Sequence, residues 1–180
     1  MLAPLFATDW LVAPPYDDVH LGVLKTGKES EVHLVSRVGE TRTSLIAEKR
    51  FKARDRRSFR DDVIYRGMWG EGPRREQRAM RKGTRFGQVA IHRRWLAHEW
   101  STLARLHDAG VTVPPPVEQT DDGYRMAFIG ESERAAPRLA DVRFDRTTAA
   151  RVWRDLQTEI AAMLETDVVH GDLSAFNVLW

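Results

Sequence analysis

The chain has 180 residues, of which 42% are hydrophobic and 30% charged, and it contains no cysteine. This length fits one ordinary or two-lobed domain, and the apolar content is sufficient for a buried core. The lack of cysteine excludes disulfides, cysteine-ligated zinc, iron–sulfur clusters and thiol catalysis. Because no apolar run is long enough to span a bilayer and the N-terminus lacks the basic start of a signal peptide, we expect a cytoplasmic protein with no membrane partner.

The formal net charge is only +2, but the basic residues are unevenly distributed along the chain. Between Arg50 and Arg94 there are fifteen Lys and Arg against five Asp and Glu, whereas residues 118–180 hold seven Arg against twelve acidic residues. A local excess of ten positive charges is typical of a segment that binds polyanions. The ordinary alternative is a solvated basic loop, and composition alone favours that alternative.

The N-terminal half has the pattern of an antiparallel sheet. Apolar residues lie on both sides of a short polar cluster within residues 21–34, and another apolar run covers residues 43–51, so we predict strands there with a turn near Gly39. From Lys52 to about Gly87, five glycines and one proline are mixed with many arginines. This composition predicts a long loop with room for one short helix, and loops of that length are usually functional or disordered.

Two helices are predicted farther along the chain. Apolar residues recur at helical spacing from Ile91 to Leu106, and Gly110 follows as a C-terminal cap. A second apolar stripe predicts a helix over about residues 147–165. The pattern between these helices predicts strands at Val117 and over residues 124–129, with a linker over residues 130–137.

The C-terminal residues carry the motif H-G-D-L-S-A-F-N, which begins at His170 and has the form H-x-D-L-x-x-x-N. Phosphoryl transfer needs a carboxylate that accepts the proton of the attacking hydroxyl and an amide oxygen that helps to hold Mg²⁺, and Asp172 and Asn177 meet that need. His170 is then a scaffold residue, and the apolar pairs at residues 168–169 and 178–179 are predicted to form short flanking strands. The structural alternative is a polar turn in which Asp and Asn serve as caps.

A kinase also needs a lysine on the third strand, which reaches the α- and β-phosphates of ATP, and a helix glutamate that holds this lysine. Lys49 lies in the predicted strand over residues 43–51, and Glu99 lies in the first predicted helix. Each residue alone is equally well explained as a surface charge. Their order along the chain, together with the motif at His170, supports the phosphate-binding roles.

The expected phosphate loop is the segment K-T-G-K-E-S-E-V at residues 25–32. It has a single glycine rather than the G-x-G-x-x-G of ordinary protein kinases, so we expect the side chains of Lys28 and Ser30 to contribute to nucleotide binding. A Walker A motif is excluded because G-x-x-x-x-G-K-[ST] does not occur in the chain.

Together these segments resemble the RIO-type atypical protein kinases. The similar motifs are T-G-K-E-S-E-V, I-A-E-K-R-F, the W-x-x-x-E that ends at Glu99, A-G-V-x-V-P and H-G-D-L-S-A-F-N, so the resemblance runs from about Leu21 to Trp180. It implies an α+β, protein-kinase-like fold. In that fold residues 1–129 form an N-lobe with an antiparallel sheet and one helix, and residues 130–180 form the hinge and a partial helical C-lobe with the catalytic loop.

The resemblance also implies functions for further residues. Met126, Phe128 and Ile129 would belong to the hinge that holds adenine. The basic segment, about residues 52–90, would be the family's flexible loop near the active site, which can be autophosphorylated, and Ser58 is our candidate for the modified residue. The family's link to maturation of the small ribosomal subunit implies RNA or a ribosomal particle as a partner of this segment.

In that family a second metal ligand, an aspartate, lies on a loop beyond the strand that starts near Val178, and further helices complete the C-lobe. Neither falls within the 180 residues. We therefore expect these residues to be part of a longer kinase and to be inactive by themselves.

The resulting prediction is a serine/threonine protein kinase that uses ATP and Mg²⁺ and that autophosphorylates or switches conformation by ATP hydrolysis. Two alternatives remain open. Small-molecule kinases of the aminoglycoside and choline type share H-G-D-L-x-x-x-N, although they commonly carry His-Pro where Ser174 and Ala175 stand. A kinase-like scaffold that binds RNA or a ribosomal particle without turnover is the second alternative.

Overall fold

The computed structural model describes residues 9–52 and 73–180. Within these ranges the chain has the predicted α+β fold, with a five-stranded antiparallel sheet, three α-helices and a two-stranded hairpin. None of the helices in the described ranges has both the length and the apolar character that crossing a membrane requires. In chain order the elements are β1 (Asp17–Thr26), β2 (Ser30–Val38), β3 (Thr43–Phe51), α1 (Arg74–Arg81), α2 (Arg85–Asp108), β4 (Pro116–Gln119), β5 (Gly123–Ala127), β6 (Gly130–Glu131), β7 (Arg134–Ala135), a 3₁₀ turn (Leu139–Asp141) and α3 (Arg146–Glu165).

The strand order in the sheet is β1-β2-β3-β5-β4, and all neighbouring pairs are antiparallel. The first three strands are joined by tight turns, and the predicted turn near Gly39 is confirmed by a hydrogen bond from the Gly39 amide to the Arg42 carbonyl. Because β5 pairs with β3, the strand that carries Lys49 has a partner on each side. The register places Lys49 between Val32 of β2 and Tyr124 of β5.

The side of the sheet that faces α2 is the main apolar core. Phe51 and Tyr124 from the sheet pack with Trp95 and Leu96 from α2. A neighbouring cluster joins Leu34, Ala47 and Phe128. Since alternate residues of a strand point to opposite faces, Ala47, Lys49 and Phe51 share this side of the sheet.

The opposite side of the sheet carries a group of ion pairs, which we call the charged network: Asp18, Arg37, Glu48, Glu118 and Arg125. The guanidinium of Arg37 donates to Asp18 at 2.8 Å and to Glu118 at 2.6 Å, and Arg125 donates to the same two carboxylates at 2.7 and 2.8 Å. Glu48 lies 3.5 Å from the Nε of Arg125. These contacts link β1, β2, β3, β4 and β5 across one face, so the network ties the strands to one another.

Helix α2 confirms the predicted helix and begins six residues before the predicted start at Ile91. The Thr84 hydroxyl caps its N-terminus by accepting a hydrogen bond from the Gly87 amide at 3.1 Å. At the other end Gly110 has a φ of +79°, the left-handed conformation in which glycine commonly ends helices.

The short helix predicted within residues 52–87 is present as α1, but the predicted loop ends before Gly87. Helix α1 is also a second helix beside the single one predicted for residues 1–129. Residues 74–81 form α1, and α2 already begins at Arg85. The sequence signal is weak because α1 has only one buried side chain, Met80, which packs against Ala90 and Ile91 of α2. Residues 53–72, with Ser58, lie outside the described ranges.

Two further predictions of local structure are wrong. Residues 130–137 are not a plain linker, because β6 and β7 pair within them. The predicted strands at residues 168–169 and 178–179 are absent from the described part of the chain, where only an isolated bridge joins Leu179 to Arg138. Val168 is buried against Leu106 and Val111 instead, so its apolar character reflects core packing rather than strand pairing.

Helix α3 begins close to the predicted Thr147, since Asp145 caps it by accepting from the Thr148 amide at 2.9 Å. Its C-terminal part meets the loop that follows α2. Glu159 accepts hydrogen bonds from the amide and the hydroxyl of Thr112 at 2.8 and 2.6 Å, beside the cluster of Leu106, Val111 and Val168. These contacts connect α2 to the helix that precedes the H-x-D-L-x-x-x-N motif.

Candidate active site

Lys49 and Glu99, which the sequence predicts to be partners, form an ion pair. The Nζ of Lys49 on β3 donates to the Oε2 of Glu99 on α2 at 3.2 Å. The two side chains are 25% and 32% exposed. The pair is therefore partly open to solvent and able to meet a ligand, while the packing of Trp95 and Leu96 against the sheet fixes the helix that carries Glu99.

Tyr124 is a third member of this group that the sequence analysis did not identify. Its hydroxyl accepts a hydrogen bond from the Nζ of Lys49 at 3.2 Å, and its ring lies in the aromatic cluster with Phe51 and Trp100. The sequence pattern assigns Tyr124 only to a predicted strand. The missing signal was the pairing of that strand with β3, because local patterns do not reveal which strands become neighbours.

The ionisation of this group follows from its partners. Burial opposes the charged form of Lys49, but attraction and hydrogen bonding to Tyr124 and Glu99 outweigh it, so the pKa of Lys49 lies above its ordinary value. Burial also raises the pKa of Tyr124, with Lys49 acting in the opposite direction. Both shifts keep Lys49 charged and the phenol of Tyr124 neutral at neutral pH.

The predicted phosphate loop is the turn between β1 and β2. Lys28 is exposed in this turn, and Ser30 is the first residue of β2. Lys52, which follows β3, donates from its Nζ to the Gly27 carbonyl at 2.8 Å and from its amide to the Glu29 carbonyl at 2.9 Å. These bonds hold the turn against the end of the strand that carries Lys49.

The H-x-D-L-x-x-x-N segment is an exposed loop with its own hydrogen bonds. The Nδ2 of Asn177 donates to the carbonyl of Asp172 at 2.7 Å and to its Oδ2 at 3.2 Å. The amide of Asp172 lies 3.3 Å from the Nδ1 of His170, which accepts from it. Gly171, with a φ of +75°, permits the bend between these two residues.

A segment around the 3₁₀ turn holds this loop, and the sequence analysis predicts no structure for it. The amides of Leu139 and Ala140 donate to the carbonyls of Val178 and Ala175 at 2.8 and 2.9 Å. Arg138 lies over the ring of Phe176 at 5.5 Å from its centroid. The loop is thus fixed at its C-terminal half by backbone contacts.

The predicted hinge residues lie at the end of β5, with Met126 inside the strand and Phe128 and Ile129 directly after it. Met126 is partly buried between the two apolar clusters, Phe128 is buried against Leu34 and Ala47, and the carbonyl of Ile129 accepts from the Ala136 amide at 2.9 Å. Met126 and Phe128 share the Lys49 side of the sheet by strand alternation. The segment is thus adjacent to Lys49, as a hinge would be.

The structure brings the predicted residues together in two groups. One contains Lys49 and Glu99, with the turn of Lys28 and Ser30 nearby, and the other contains His170, Asp172 and Asn177. No hydrogen bond or ion pair between described residues joins the two groups.

The donor atoms near Asp172 fit a metal only in part. In the described ranges no group of three His, Cys, Asp or Glu side chains is arranged to hold a metal ion. Asn177 donates with its Nδ2, which leaves its Oδ1 free to act as a ligand beside the Asp172 carboxylate. Mg²⁺ in phosphoryl-transfer sites is commonly bound by one or two carboxylates plus phosphate oxygens, so this donor set fits a metal that is shared with a triphosphate.

Comparison with known proteins identifies relatives along most of the chain. The model of the RIO domain matches residues 40–180. The chain is 31% identical over 170 residues to the RIO-type serine/threonine-protein kinase Rio1 of Haloferax volcanii, a match that covers 94% of this chain and 53% of that protein. It is 28% identical over 167 residues to the human serine/threonine-protein kinase RIO1, with 88% of this chain and 26% of the human protein covered.

A third relative is the serine/threonine-protein kinase RIO3 of Caenorhabditis elegans, which is 27% identical over 183 residues that cover 97% of this chain and 32% of that protein. The chain thus spans about half the length of the archaeal relative and a third or less of the two animal relatives. All three relatives are named as protein kinases rather than small-molecule kinases.

Proposed function

The chain belongs to the RIO family of kinases, and on that basis we propose that it transfers the γ-phosphate of ATP to a serine hydroxyl of a protein, or hydrolyses ATP to drive a conformational step. The observation that carries this proposal is the ion pair of Lys49 with Glu99 at 3.2 Å. A kinase needs a lysine on the third strand that is held by a helix glutamate. The alternative of an aminoglycoside-type or choline-type kinase has no comparable support.

In this proposal Lys49 binds the α- and β-phosphates of ATP, and Glu99 keeps its ammonium group in place. Lys28 and Ser30 line the phosphate end from the turn between β1 and β2, which Lys52 holds by two hydrogen bonds. Met126, Phe128 and Ile129 form the adenine hinge. The hinge marks the boundary between an N-lobe that ends near residue 129 and a C-lobe segment that begins near residue 130.

Asp172 is the proposed base that orients the attacking hydroxyl and accepts its proton. Asn177 holds the loop through its Nδ2 and is the proposed Mg²⁺ ligand through its Oδ1. When bound, Mg²⁺ neutralises charge on the triphosphate. His170 fixes the loop by accepting from the Asp172 amide.

The test is transfer of radiolabelled γ-phosphate by the full-length protein that contains these residues, with Asp172→Asn compared to Asp167→Asn. Both changes remove one exposed carboxylate, and Asp167 has a φ of 55°, a conformation that asparagine also tolerates. We expect Asp172→Asn to slow transfer by about a hundredfold to ten-thousandfold with little change in ATP affinity, and Asp167→Asn to have almost no effect. The reverse result would move the base to Asp167.

Autophosphorylation at Ser58 is a separate part of the proposal. Ser58 lies outside the described residues, so its support is the basic composition around it and the family resemblance. After incubation with Mg-ATP, mass spectrometry should find phosphate on Ser58, and Ser58→Ala should remove that signal. Phosphate found only at other residues would contradict the assignment.

A cytoplasmic location, consistent with the absence of cysteine, is also part of the proposed function.

A second candidate function is binding of RNA, alone or within a ribosomal particle, and a specific surface favours it. A cleft of about 420 Å³ along α1 and before the start of α2 is lined by Arg74, Arg75, Arg78, Ala79, Lys82 and Thr84. None of its four cations forms an ion pair with another residue in the described ranges. Arg75 also lies 5.6 Å from the ring centroid of Phe86, which is 48% exposed and available for base stacking.

RNA binding is tested by changing three arginines of the cleft to glutamine together and measuring affinity for single-stranded RNA at several salt concentrations. We expect weaker binding. The slope of the logarithm of the binding constant against the logarithm of the salt concentration should become smaller in magnitude by about two, because each lost phosphate contact on a single strand removes about 0.7. The control changes three exposed arginines near the start of α3 in the same way and should leave the slope unchanged. The cleft set is Arg74, Arg75 and Arg78, and the control set is Arg143, Arg146 and Arg151. If both sets weaken RNA binding equally, the attraction is nonspecific and the cleft is not the binding surface.

A further inference from the structure

We infer that Tyr124 is a positioning residue for ATP binding, and that its hydroxyl holds the Lys49 ammonium group in concert with Glu99. The inference rests on the proposed kinase function. The motifs of the sequence assign no function to Tyr124. Its contact with the ammonium group, at 3.2 Å, is as short as the contact made by Glu99.

The tyrosine ring is well placed to hold its hydroxyl in a constant position. Tyr124 is 6% exposed, and its ring centroid lies 6.0 Å from that of Phe51 and 6.1 Å from that of Trp100. A buried hydroxyl is costly unless it has a hydrogen-bond partner, and the partner here is Lys49. The phenol is thus a fixed acceptor at the base of the site.

The two contacts of Lys49 come from different parts of the fold. Tyr124 is the register partner of Lys49 on the neighbouring strand, whereas Glu99 comes from α2. Lys49 has a long flexible side chain, and with a single partner its ammonium group could still adopt several positions. With two of its three N–H groups directed to β5 and α2, the third remains for a phosphate oxygen.

This arrangement makes a distinctive prediction about Glu99. If Tyr124 holds the ammonium group from the sheet, the loss of Glu99 leaves Lys49 with one anchor, and the loss of both leaves none. The effects of removing the two partners should therefore be more than multiplicative. Independent contributions would simply multiply, as they do for residues that share no partner.

The experiment uses the full-length protein and measures ATP affinity and the kinetics of transfer for the unmodified form, Tyr124→Phe, Glu99→Gln and the double variant. Tyr124→Phe keeps the ring and removes only the hydroxyl. We expect it to raise the KM for ATP about tenfold, the typical effect of losing a hydrogen bond to a charged group, with kcat changed less than about twofold. The double variant should exceed the product of the single effects.

Tyr16→Phe is the matched control, because it removes a tyrosine hydroxyl from the other side of the sheet, where the Tyr16 ring lies under Arg37. It should leave the KM for ATP unchanged. Thermal unfolding should show that Tyr124→Phe is folded at the assay temperature. An unchanged KM in Tyr124→Phe, or an effect that merely multiplies with that of Glu99→Gln, would overturn the inference.

A second measurement leaves Tyr124 intact and remains informative if Tyr124→Phe does not fold. The charged or titratable groups that act on the phenol are Lys49 from β3 and Glu99 from α2, and Lys49 lowers its pKa. In Lys49→Met the ultraviolet titration of one tyrosine should move to higher pH, and an unchanged titration would contradict the contact. If the unmodified protein binds ATP and transfers phosphate but the Tyr124 and Lys49 variants do not behave as expected, only the inference about Tyr124 is wrong. If the unmodified protein does not bind ATP, both the inference and the proposed kinase function are wrong.

Discussion

The two sides of the central sheet both carry charged side chains, but they differ in how completely those charges are paired. On the α2 side, Lys49 contacts Glu99 and Tyr124, and its side chain remains 25% exposed. On the other side, the charged network includes Arg37, whose side chain is 3% exposed and bonded to two carboxylates. Arg37 is thus buried against its two carboxylate partners, whereas the ammonium group of Lys49 remains accessible to a ligand.

The difference in pairing and exposure distinguishes charged residues that hold the fold together from charged residues that can bind a ligand, and it does so without reference to any sequence motif. In the charged network, Asp18 and Glu118 are each shared by Arg37 and Arg125, so four strands are joined by groups that satisfy one another. At the Lys49 site, the contacts fix the direction of the ammonium group and leave it accessible. We therefore expect changes in the network to alter stability and changes at Lys49 to alter binding.

The largest expected effect on stability is that of Arg37→Met. The change leaves Asp18 and Glu118 with Arg125 as their remaining partner. Breaking a buried ion pair from one side typically costs about 3–5 kcal/mol of unfolding free energy, so with one arginine retained we expect a cost near the lower end of that range. Urea denaturation measures this. Arg42→Met is the control, because Arg42 is 43% exposed where it pairs with Asp9, and its loss should cost less than about 1 kcal/mol. Similar costs for the two variants would show that the network is not structural.

The charged network should also make stability fall in acid. Hydrogen bonding to Arg37 lowers the pKa of Asp18, and for Glu118 burial is outweighed by hydrogen bonds from Arg37 and Arg125, which lower its pKa as well. Carboxylates with lowered pKa values stabilise the fold above their ordinary values of 3.8 and 4.5, and this contribution is lost as the pH falls below that range.

Urea denaturation at a series of pH values between 6 and 3 checks the acid dependence. Asp18→Asn should be less stable than the unmodified protein at pH 6, and its stability should fall less steeply toward pH 3. A curve for Asp18→Asn that is parallel to that of the unmodified protein would mean that other carboxylates cause the loss.

The smallest expected effect on stability is that of Glu99→Gln. The Lys49–Glu99 pair is partly exposed, and pairs of this kind contribute about 1 kcal/mol or less. The unfolding free energy should therefore change little, although ATP binding is weakened. A loss comparable to that of Arg37→Met would indicate that the pair serves mainly to hold α2 against the sheet, and it would remove the contrast between the two sides.

Residues of the site were predictable from the sequence where a local pattern determines their position. Lys49 follows from its place in an apolar strand and Glu99 from its phase in the helix with Trp95, and the two side chains form an ion pair. Tyr124 was missed because its contact with Lys49 depends on pairing between strands that are 75 residues apart.

The charged network was missed for the same physical reason. Asp18 and Arg125 are 107 residues apart, and nothing near either residue indicates the other. The sequence leaves open the position of the predicted short helix, α1, because arginines dominate its sequence and Met80 is its single buried side chain. The predicted flanking strands failed because the apolar pattern V-V is equally compatible with the packing of Val168 against α2.

The most direct test of the account is calorimetric titration of Mg-ATP into Lys49→Met and Glu48→Gln, two changes at adjacent residues of β3 whose side chains lie on opposite sides of the sheet. We predict that Lys49→Met loses most of its ATP affinity with little loss of stability, because its ammonium group is the proposed phosphate anchor. Glu48→Gln, within the charged network, should lower stability and keep ATP affinity near that of the unmodified protein. Unchanged ATP binding in Lys49→Met would contradict the central claim that this side of the sheet forms the nucleotide site.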